Sequence, residues 1–222
     1  MKIILASGSP RRKELLGNIF PEFTIQPSEK EETAIFQSPG QFVCDLAKHK
    51  ALDIASVACG ITASDSSAFT DPAKEIGEAA IKPYNFETAS LIIGADTIVY
   101  ANDRVLGKPK DAADAHEMLA SLSGKPHQVY TGICLIIAED DRLCLCNSFY
   151  ELTTVYVDQL SDAEIQAYIQ TGDPLDKAGS YGIQGIFSKH IRRIDGDYFN
   201  VVGLPVNRLY RELITMDERF RF

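Results

Sequence analysis

The feature that most constrains the fold is a carboxylate inside a hydrophobic run. Residues 91–100 read LIIGADTIVY, with aliphatic and β-branched residues on both sides of Asp96. Such a run predicts a buried strand, where an unpaired charge would cost several kcal/mol. Gly94, two residues earlier, would let another group approach the backbone closely. A strand end or a bulge that opens on a cleft would accommodate Asp96; the alternative is that Asp96 begins a tight turn.

Composition narrows the class of protein. The chain has 222 residues, 45% of them hydrophobic, enough for one large domain or for two lobes that share a sheet. A net charge of −9 argues against broad nucleic-acid or membrane binding, but a local basic pocket could still hold a small anion. The first apolar run is too short for a signal peptide, and no run is long enough to cross a bilayer. We therefore expect a cytoplasmic protein with neither nucleic acid nor membrane as its partner.

The five cysteines do not have the spacing of a zinc site. Cys144 and Cys146 stand two apart on an expected strand, and no His pairs with them. The number and spacing of the cysteines favour reduced thiols in a cytosolic compartment.

Residues 2–12 combine an apolar strand, a glycine turn and two arginines. Ser9 is a suitable N-cap, and Pro10 suits the first position of the helix that follows. Free backbone amides, the helix dipole and the guanidinium groups of Arg11 and Arg12 would together favour a phosphate. The alternative is a capped surface helix with solvated arginines. The glycine patterns of a Walker loop and of a dinucleotide fingerprint are both missing.

A helix is expected over about residues 38–55, with Lys50 on its apolar face. Val43 and Leu46 precede Lys50 by seven and four positions, so the three side chains share that face. A lysine there either extends past the core to solvent or points into a pocket. The acidic run at 28–33, taken alone, is typical of a solvated loop.

Glycine-rich and polar loops follow the later strands and helices. Asn102 and Asp103 predict a hairpin turn that would bring Lys108 back near the level of Asp96. A capping box at Ser161 opens another predicted helix. An acid, a base, an amide and three glycines lie within residues 176–185. This composition favours a ligand-facing loop over a core segment.

Seven short motifs, in order along nearly the whole chain, resemble those of the Maf proteins, nucleoside triphosphate pyrophosphatases also called septum formation inhibitors. They are residues 6–12, 94–97, 107–109, 130–132, 176–179, 181–185 and 200–205. The resemblance implies an α/β fold with a mixed, elongated and twisted sheet flanked by helices, in which two lobes enclose a central cleft. It also implies hydrolysis of a nucleoside triphosphate to the monophosphate and pyrophosphate, a divalent cation (Mg²⁺ or Mn²⁺) as cofactor, and a homodimer.

The resemblance also implies the site residues. The family's proton acceptor corresponds to Asp96, and the other residues expected to act in catalysis are Lys50, Lys108 and Glu32. Glu29 and Glu31 are rivals of Glu32 in the same acidic run. Further substrate-binding positions correspond to Ser7, Arg12, Asp176 and Lys177. The match at residues 46–51 assigns Lys50 to the pocket, and the metal ligands remain open.

Three positions distinguish the family branch that acts on dTTP and UTP from the branch that acts on 7-methyl-GTP. Here they are Arg11, Thr97 and Gln184, where the second branch is expected to carry Trp, Gln and Glu. An amide and a hydroxyl can pair with the edge of thymine or uracil, whereas a carboxylate suits the cationic edge of 7-methylguanine. The prediction is a dTTP/UTP pyrophosphatase. The alternatives are a non-hydrolysing nucleotide-binding regulator of cell division and an ITP/XTP house-cleaning pyrophosphatase.

The expected organisation is a single domain, residues 1–222, with two lobes. Two features depart from the family pattern. The segment 56–90, which we interpret as a surface insertion, is longer than in compact bacterial members, and Phe199 stands where small residues are common.

Overall fold

A computed structural model describes residues 1–30, 34–61 and 82–221 of the chain. The described residues form seven strands and six α-helices. In chain order they are β1 (Lys2–Leu5), α1 (Pro10–Leu16), β2 (Thr24–Ile25), α2 (Pro39–Cys59), β3 (Ser90–Ala101), β4 (Arg104–Leu106), α3 (Ala112–Leu122), β5 (Pro126–Glu139), β6 (Arg142–Val157), α4 (Asp162–Ile169), β7 (Ile191–Asp195), α5 (Tyr198–Val202) and α6 (Val206–Met216). Short 3₁₀ turns cover Asp173–Asp176, Ala178–Ser180, Gly185–His190 and Glu218–Phe220.

The strands form one mixed sheet in the order β2-β1-β3-β5-β6-β7, with β4 paired to β3. β1 is parallel to both β2 and β3, whereas β4 is antiparallel to β3 and β7 is antiparallel to β6. This arrangement confirms the predicted α/β class with a mixed sheet flanked by helices.

The chain divides into two compact units, and β3, β5 and β6 contribute residues to both. The first unit comprises Met1–Asp96, Gly132–Tyr150 and Val206–Phe222, and the second comprises Thr97–Thr131 and Glu151–Pro205. In the second unit, α3 and α4 pack together over a core that includes Leu119, Val155 and Ile165.

Helix α2 is the main helix of the first unit, and its ends follow local rules. Ser38 accepts a hydrogen bond from the backbone N–H of Gln41, Pro39 opens the helix, and Gly60 ends it in the left-handed conformation at φ 71°. The helix therefore runs to Cys59, four residues beyond the predicted end.

Two glycines let α2 lie directly on the sheet of the first unit. A Cβ atom added to Gly94 would lie 2.1 Å from the carbonyl oxygen of Ala47, and one added to Gly132 would lie 2.3 Å from the carbonyl group of Val43. Because no side chain fits in either place, the helix backbone touches β3 and β5. The apolar face of α2, including Ala47 and Ala51, completes a core cluster with β1, β3 and β5.

The predicted hairpin turn and the predicted capping box are both present. Asn102 and Asp103 both have positive φ, 50° and 58°, as the predicted hairpin turn requires, and Ala101 pairs with Arg104. The capping box at Ser161 is formed with Glu164.

Both ends of segment 56–90 belong to regular elements, α2 and β3, and residues 62–81 of the expected insertion lie outside the described residues. Among the described helices, none has both the length and the apolar character needed to cross a membrane.

Candidate active site

Asp96 lies inside β3, which continues without interruption to Ala101. The expectations of a strand end and of a tight turn at this position are therefore both wrong. The residue is only 9% exposed. A buried carboxylate in the middle of a strand needs a partner, since an isolated charge there would be strongly destabilising.

The partner is Lys50. Its Nζ donates a hydrogen bond to Asp96 Oδ1 at 2.5 Å, and the two side chains are only 15% and 12% exposed. Lys50 reaches this place because α2 rests on Gly94, two residues before Asp96 in β3. The close helix–strand contact and the ion pair are thus parts of one arrangement.

Arg12 contacts the same stretch of β3. Its Nη1 donates hydrogen bonds to Ser7 Oγ at 3.1 Å and to the carbonyl oxygen of Ala95 at 2.9 Å. Ser7 lies two residues after the end of β1, which is parallel to β3. The pairing of the two segments extends one residue past β1, where Ala6 N–H donates to Ile93 O at 2.9 Å. The predicted N-cap is present as well: Ser9 Oγ accepts from Arg12 N–H at 3.5 Å.

Four predicted site residues therefore come together in the first unit: Ser7, Arg12, Lys50 and Asp96. The group holds two cationic side chains and one carboxylate, within a chain whose net charge is −9. A carboxylate in this setting can take a proton from water, and the cations can attract a phosphate. Arg11 lies beside Arg12 on α1 and is partly exposed.

Asp53 is a buried carboxylate that the sequence interpretation did not single out. It lies one helical turn after Lys50 on α2, and it accepts hydrogen bonds from Ser28 Oγ and from Lys30 Nζ, both at 2.7 Å. Burial alone would raise the pKa of Asp53, but the hydrogen bonds and the charge of Lys30 together lower it. The segment 28–30 is therefore attached to α2 rather than wholly solvated. The available signal was a carboxylate three positions after Lys50, on the same and mostly apolar face of the helix.

Glu32 and its rival Glu31 lie outside the described residues, and the second rival, Glu29, is exposed. The structure describes no group of three or more His, Cys, Asp or Glu side chains that could hold a metal ion.

The other predicted site residues belong to the second unit. Thr97 Oγ1 is 3.0 Å from Thr131 Oγ1, and Thr131 Oγ1 donates to the carbonyl oxygen of Asn200 at 2.9 Å. Lys108, in the loop after β4, and Gln184 are exposed. Phe199, the departure from the family pattern on α5, is also exposed.

Asp176 and Lys177 form an ion pair with each other. Lys177 Nζ lies 2.7 Å from Asp176 Oδ1 and 2.9 Å from Asp173 Oδ1, and it also donates to the Asp173 carbonyl oxygen at 2.6 Å. The predicted ligand-facing loop is thus partly ordered by its own charged groups.

Comparison with known proteins agrees with the motif pattern. A family model described as "Maf-like protein" matches residues 2–216. The dTTP/UTP pyrophosphatase of Agathobacter rectalis is 46% identical over 212 residues, which are 96% of each chain. The dTTP/UTP pyrophosphatases of Bacillus cereus (strain AH187) and Lachnoclostridium phytofermentans are 46% and 41% identical, over 96% of this chain and 94% and 93% of theirs. Among solved structures, the Ham1 protein of Staphylococcus aureus matches with a TM-score of 0.40 and 14% identity, over 86% of this chain and 80% of that one, a likeness too distant to carry an argument. A family match over nearly the full length, together with relatives well above 30% identity, shows that the chain belongs to the Maf family.

Proposed function

We propose that this protein is a nucleoside triphosphate pyrophosphatase that hydrolyses dTTP and UTP to the monophosphate and pyrophosphate. The observation that carries the proposal is the buried Asp96–Lys50 pair beside Arg12. The names of relatives that are 41–46% identical over 96% of this chain support the substrate class.

Asp96 would act as the general base. Lys50 binds Oδ1, so Oδ2 is the oxygen that would take a proton from water as the water attacks the α-phosphorus. The bond between that phosphorus and the oxygen bridging to the β-phosphorus breaks, and pyrophosphate leaves. No covalent intermediate is needed, because positioning and charge neutralisation lower the barrier of phosphoryl-type transfers.

Lys50 would have two roles. Its ammonium group carries three protons, so it can hold Asp96 and donate to a phosphate oxygen at the same time. In this way the residue that stabilises the buried carboxylate also aligns it with the triphosphate. Arg12, fixed by Ser7 and by the backbone of β3, would add a second positive charge near the phosphates. Lys108 is proposed to contribute a third.

A divalent cation, Mg²⁺ or Mn²⁺, is proposed as the cofactor. The described residues offer it the carboxylate oxygens of Asp96 and no cluster of three acidic or His ligands. This donor set fits a hard cation held chiefly by substrate phosphates and by one acidic side chain, Asp96 or Glu32. When bound, the cation would neutralise charge on the phosphate oxygens.

Base recognition is assigned to Arg11, Thr97 and Gln184. The amide of Gln184 can both donate and accept hydrogen bonds, which matches the alternating acceptor and donor groups of thymine and uracil. Asp176 and Lys177 are proposed as further substrate-binding residues, and the protein is proposed to act as a homodimer in the cytoplasm.

The deciding experiment is a substrate panel. Purified protein is incubated with dTTP, UTP, 7-methyl-GTP and ITP, with and without Mg²⁺, and pyrophosphate release is measured. Cation-dependent release from dTTP and UTP is expected. Release mainly from ITP would identify a house-cleaning enzyme, and binding without release would identify a nucleotide-binding regulator.

A further inference from the structure

Two cysteines of the first unit are in contact, and the proposed reaction uses neither. Cys134 lies on β5 and Cys146 on the neighbouring strand β6, with their sulfur atoms 3.8 Å apart. Cys134 is fully buried, whereas Cys146 is partly exposed at the edge of the core cluster under α2. We infer that Cys134 and Cys146 are an oxidation site, at which a peroxide forms a reversible disulfide that slows the reaction at Asp96.

The geometry is suited to a disulfide. A disulfide requires an S–S distance of about 2.05 Å and Cα atoms about 4.4–6.8 Å apart. The two residues lie on neighbouring strands, which are separated by about 4.8 Å. Their sulfur atoms already face each other at 3.8 Å, and rotation of the two side chains would close the remaining gap. Cys144, on the same strand, instead directs its sulfur to the backbone oxygen of Arg142 at 3.6 Å.

The electrostatics assign different roles to the two thiols. The hydrogen bond from the Cys134 thiol lowers the pKa of Cys146, and the charge of Lys48 on α2 acts in the same direction, against the effect of burial. The same hydrogen bond and burial raise the pKa of Cys134. The thiolate is the reactive form of cysteine. Cys146, being partly exposed as well, is therefore the sulfur that meets the oxidant, and Cys134 is the resolving thiol.

The chemistry balances with hydrogen peroxide as the oxidant. The Cys146 thiolate attacks one peroxide oxygen, the O–O bond breaks, and the departing hydroxide takes a proton to become water, leaving a sulfenic acid on Cys146. Cys134 sulfur then attacks Cys146 sulfur, and the sulfenic oxygen leaves as a second water with the proton of Cys134. Two electrons pass from the two thiols to the peroxide, and a dithiol reductant reverses the step.

The connection to the active site runs through α2. Cys134 packs in the same core cluster as Ala47 and Ala51, which flank Lys50 on that helix. Disulfide formation shortens the sulfur separation from 3.8 Å to about 2.05 Å and so moves the Cys134 side chain, in a core that tolerates little change of shape. The Lys50–Asp96 contact is then expected to shift, and the rate to fall. This last step rests on the proposed function; the disulfide itself does not.

The test uses the full-length protein and five forms of it: wild type, Cys146→Ser, Cys134→Ala, Cys144→Ser and Cys59→Ser. Each is treated with hydrogen peroxide and then measured in three ways, by free-thiol titration, by peptide mapping without reductant, and by pyrophosphate release. The wild type, Cys144→Ser and Cys59→Ser are expected to lose two thiols, to give a peptide linking residues 134 and 146, and to lose activity at least severalfold until dithiothreitol is added.

The two pair variants separate the possible outcomes. Cys134→Ala is expected to stop at a sulfenic acid on Cys146, which dimedone traps, and Cys146→Ser is expected to keep its activity in peroxide. The absence of a 134–146 linkage in the wild type would overturn the oxidation site. Formation of the linkage without a change in rate, or equal inactivation of Cys146→Ser, would overturn the link to the active site. Because the linkage is detected by mass, it can be judged even if no nucleotide is hydrolysed.

Lys48→Gln provides a check that leaves both cysteines in place. Removing this charge reduces the thiolate fraction of Cys146, so peroxide oxidation of the pair is expected to slow roughly threefold with the fold intact. An unchanged rate of thiol loss would contradict the assignment of Cys146 as the attacking sulfur.

Discussion

A buried charge pair in the first unit contrasts with a buried neutral network in the second. The first unit buries full charges, the carboxylate of Asp96 against the ammonium of Lys50. The second unit buries neutral groups: Asn200 is fully covered and donates to Val129 O and to Thr153 Oγ1, both at 3.0 Å. Neutral networks that are hydrogen-bonded make a core specific, whereas a buried ion pair often adds little net stability compared with an apolar pair. From this difference we propose that the Asp96–Lys50 pair serves chemistry, whereas the Asn200 network serves structure.

Asp96→Asn tests whether the buried charge pair of the first unit serves the reaction, and it should give the largest change in rate. The amide keeps the size of the side chain but cannot take a proton, so kcat for dTTP should fall about 10²–10⁴-fold, while the protein still folds and binds the nucleotide. Steady-state kinetics and nucleotide titration measure the two properties. Asp195→Asn, which removes an exposed ion pair with Arg193, is the matched control and should change neither. Turnover near the wild-type rate in Asp96→Asn would end the general-base assignment.

Gly94→Ala tests whether the close contact of α2 with β3 sets the charge pair. The added methyl group would meet the carbonyl oxygen of Ala47, so we expect a loss of about 3 kcal/mol in the free energy of unfolding, together with a lower kcat. Urea denaturation and kinetics of the folded fraction measure these changes. Gly107→Ala, at a position where a Cβ meets nothing within 4 Å, should leave stability nearly unchanged.

Asn200→Ala tests the second half of the comparison. It leaves Val129 O without its hydrogen bond in the core of the second unit, so stability should fall by about 2–3 kcal/mol. The kcat of the folded protein should change far less than in Asp96→Asn. The control Asn207→Ala removes an exposed amide and should shift the urea midpoint little. A large loss of kcat in a folded Asn200→Ala protein would mean that this network also serves the reaction.

Lowering the pH should reduce the free energy of unfolding by less than the substitutions above. The group responsible, His127, lies in the second unit. His127 is 3% exposed and burial lowers its pKa to about 4. The unfolded chain, with a His pKa near 6.5, binds a proton that the folded state does not, so stability falls as the pH drops from about 6.5 toward 4. The loss should be about 2 kcal/mol at pH 5. Urea unfolding of wild type and His127→Gln at pH 7 and pH 5 isolates this contribution, and equal losses in both proteins would assign it elsewhere.

Local features of the fold were predictable because neighbouring residues determine them. The Ser9 cap, the hairpin turn at Asn102 and the capping box at Ser161 each depend on a few adjacent positions. The buried strand around Asp96 follows from the apolar run on both sides of it, and the inward face of Lys50 follows from helical periodicity. The end of α2 was predicted too early, because Gly60 rather than a change of composition ends the helix.

Contacts between distant segments could not be predicted from pattern alone. Lys50 and Asp96 are 46 positions apart, and their pairing depends on how α2 lies on the sheet. The bonds of Ser28 and Lys30 to Asp53 and the contact of Cys134 with Cys146 have the same origin. For Ser7 and Arg12, motif resemblance supplied positions that chemistry alone left open between a phosphate site and a solvated helix.

The backbone-to-backbone contact of α2 at Gly94 and Gly132 has a consequence for how the protein can diverge. At both glycines the backbone of α2 fills the space that a side chain would need. The contact between α2 and the two strands therefore cannot be changed by one substitution at a time. Natural variants that prefer a different nucleobase should therefore differ in their surface loops, with this helix and its two glycines inherited unchanged.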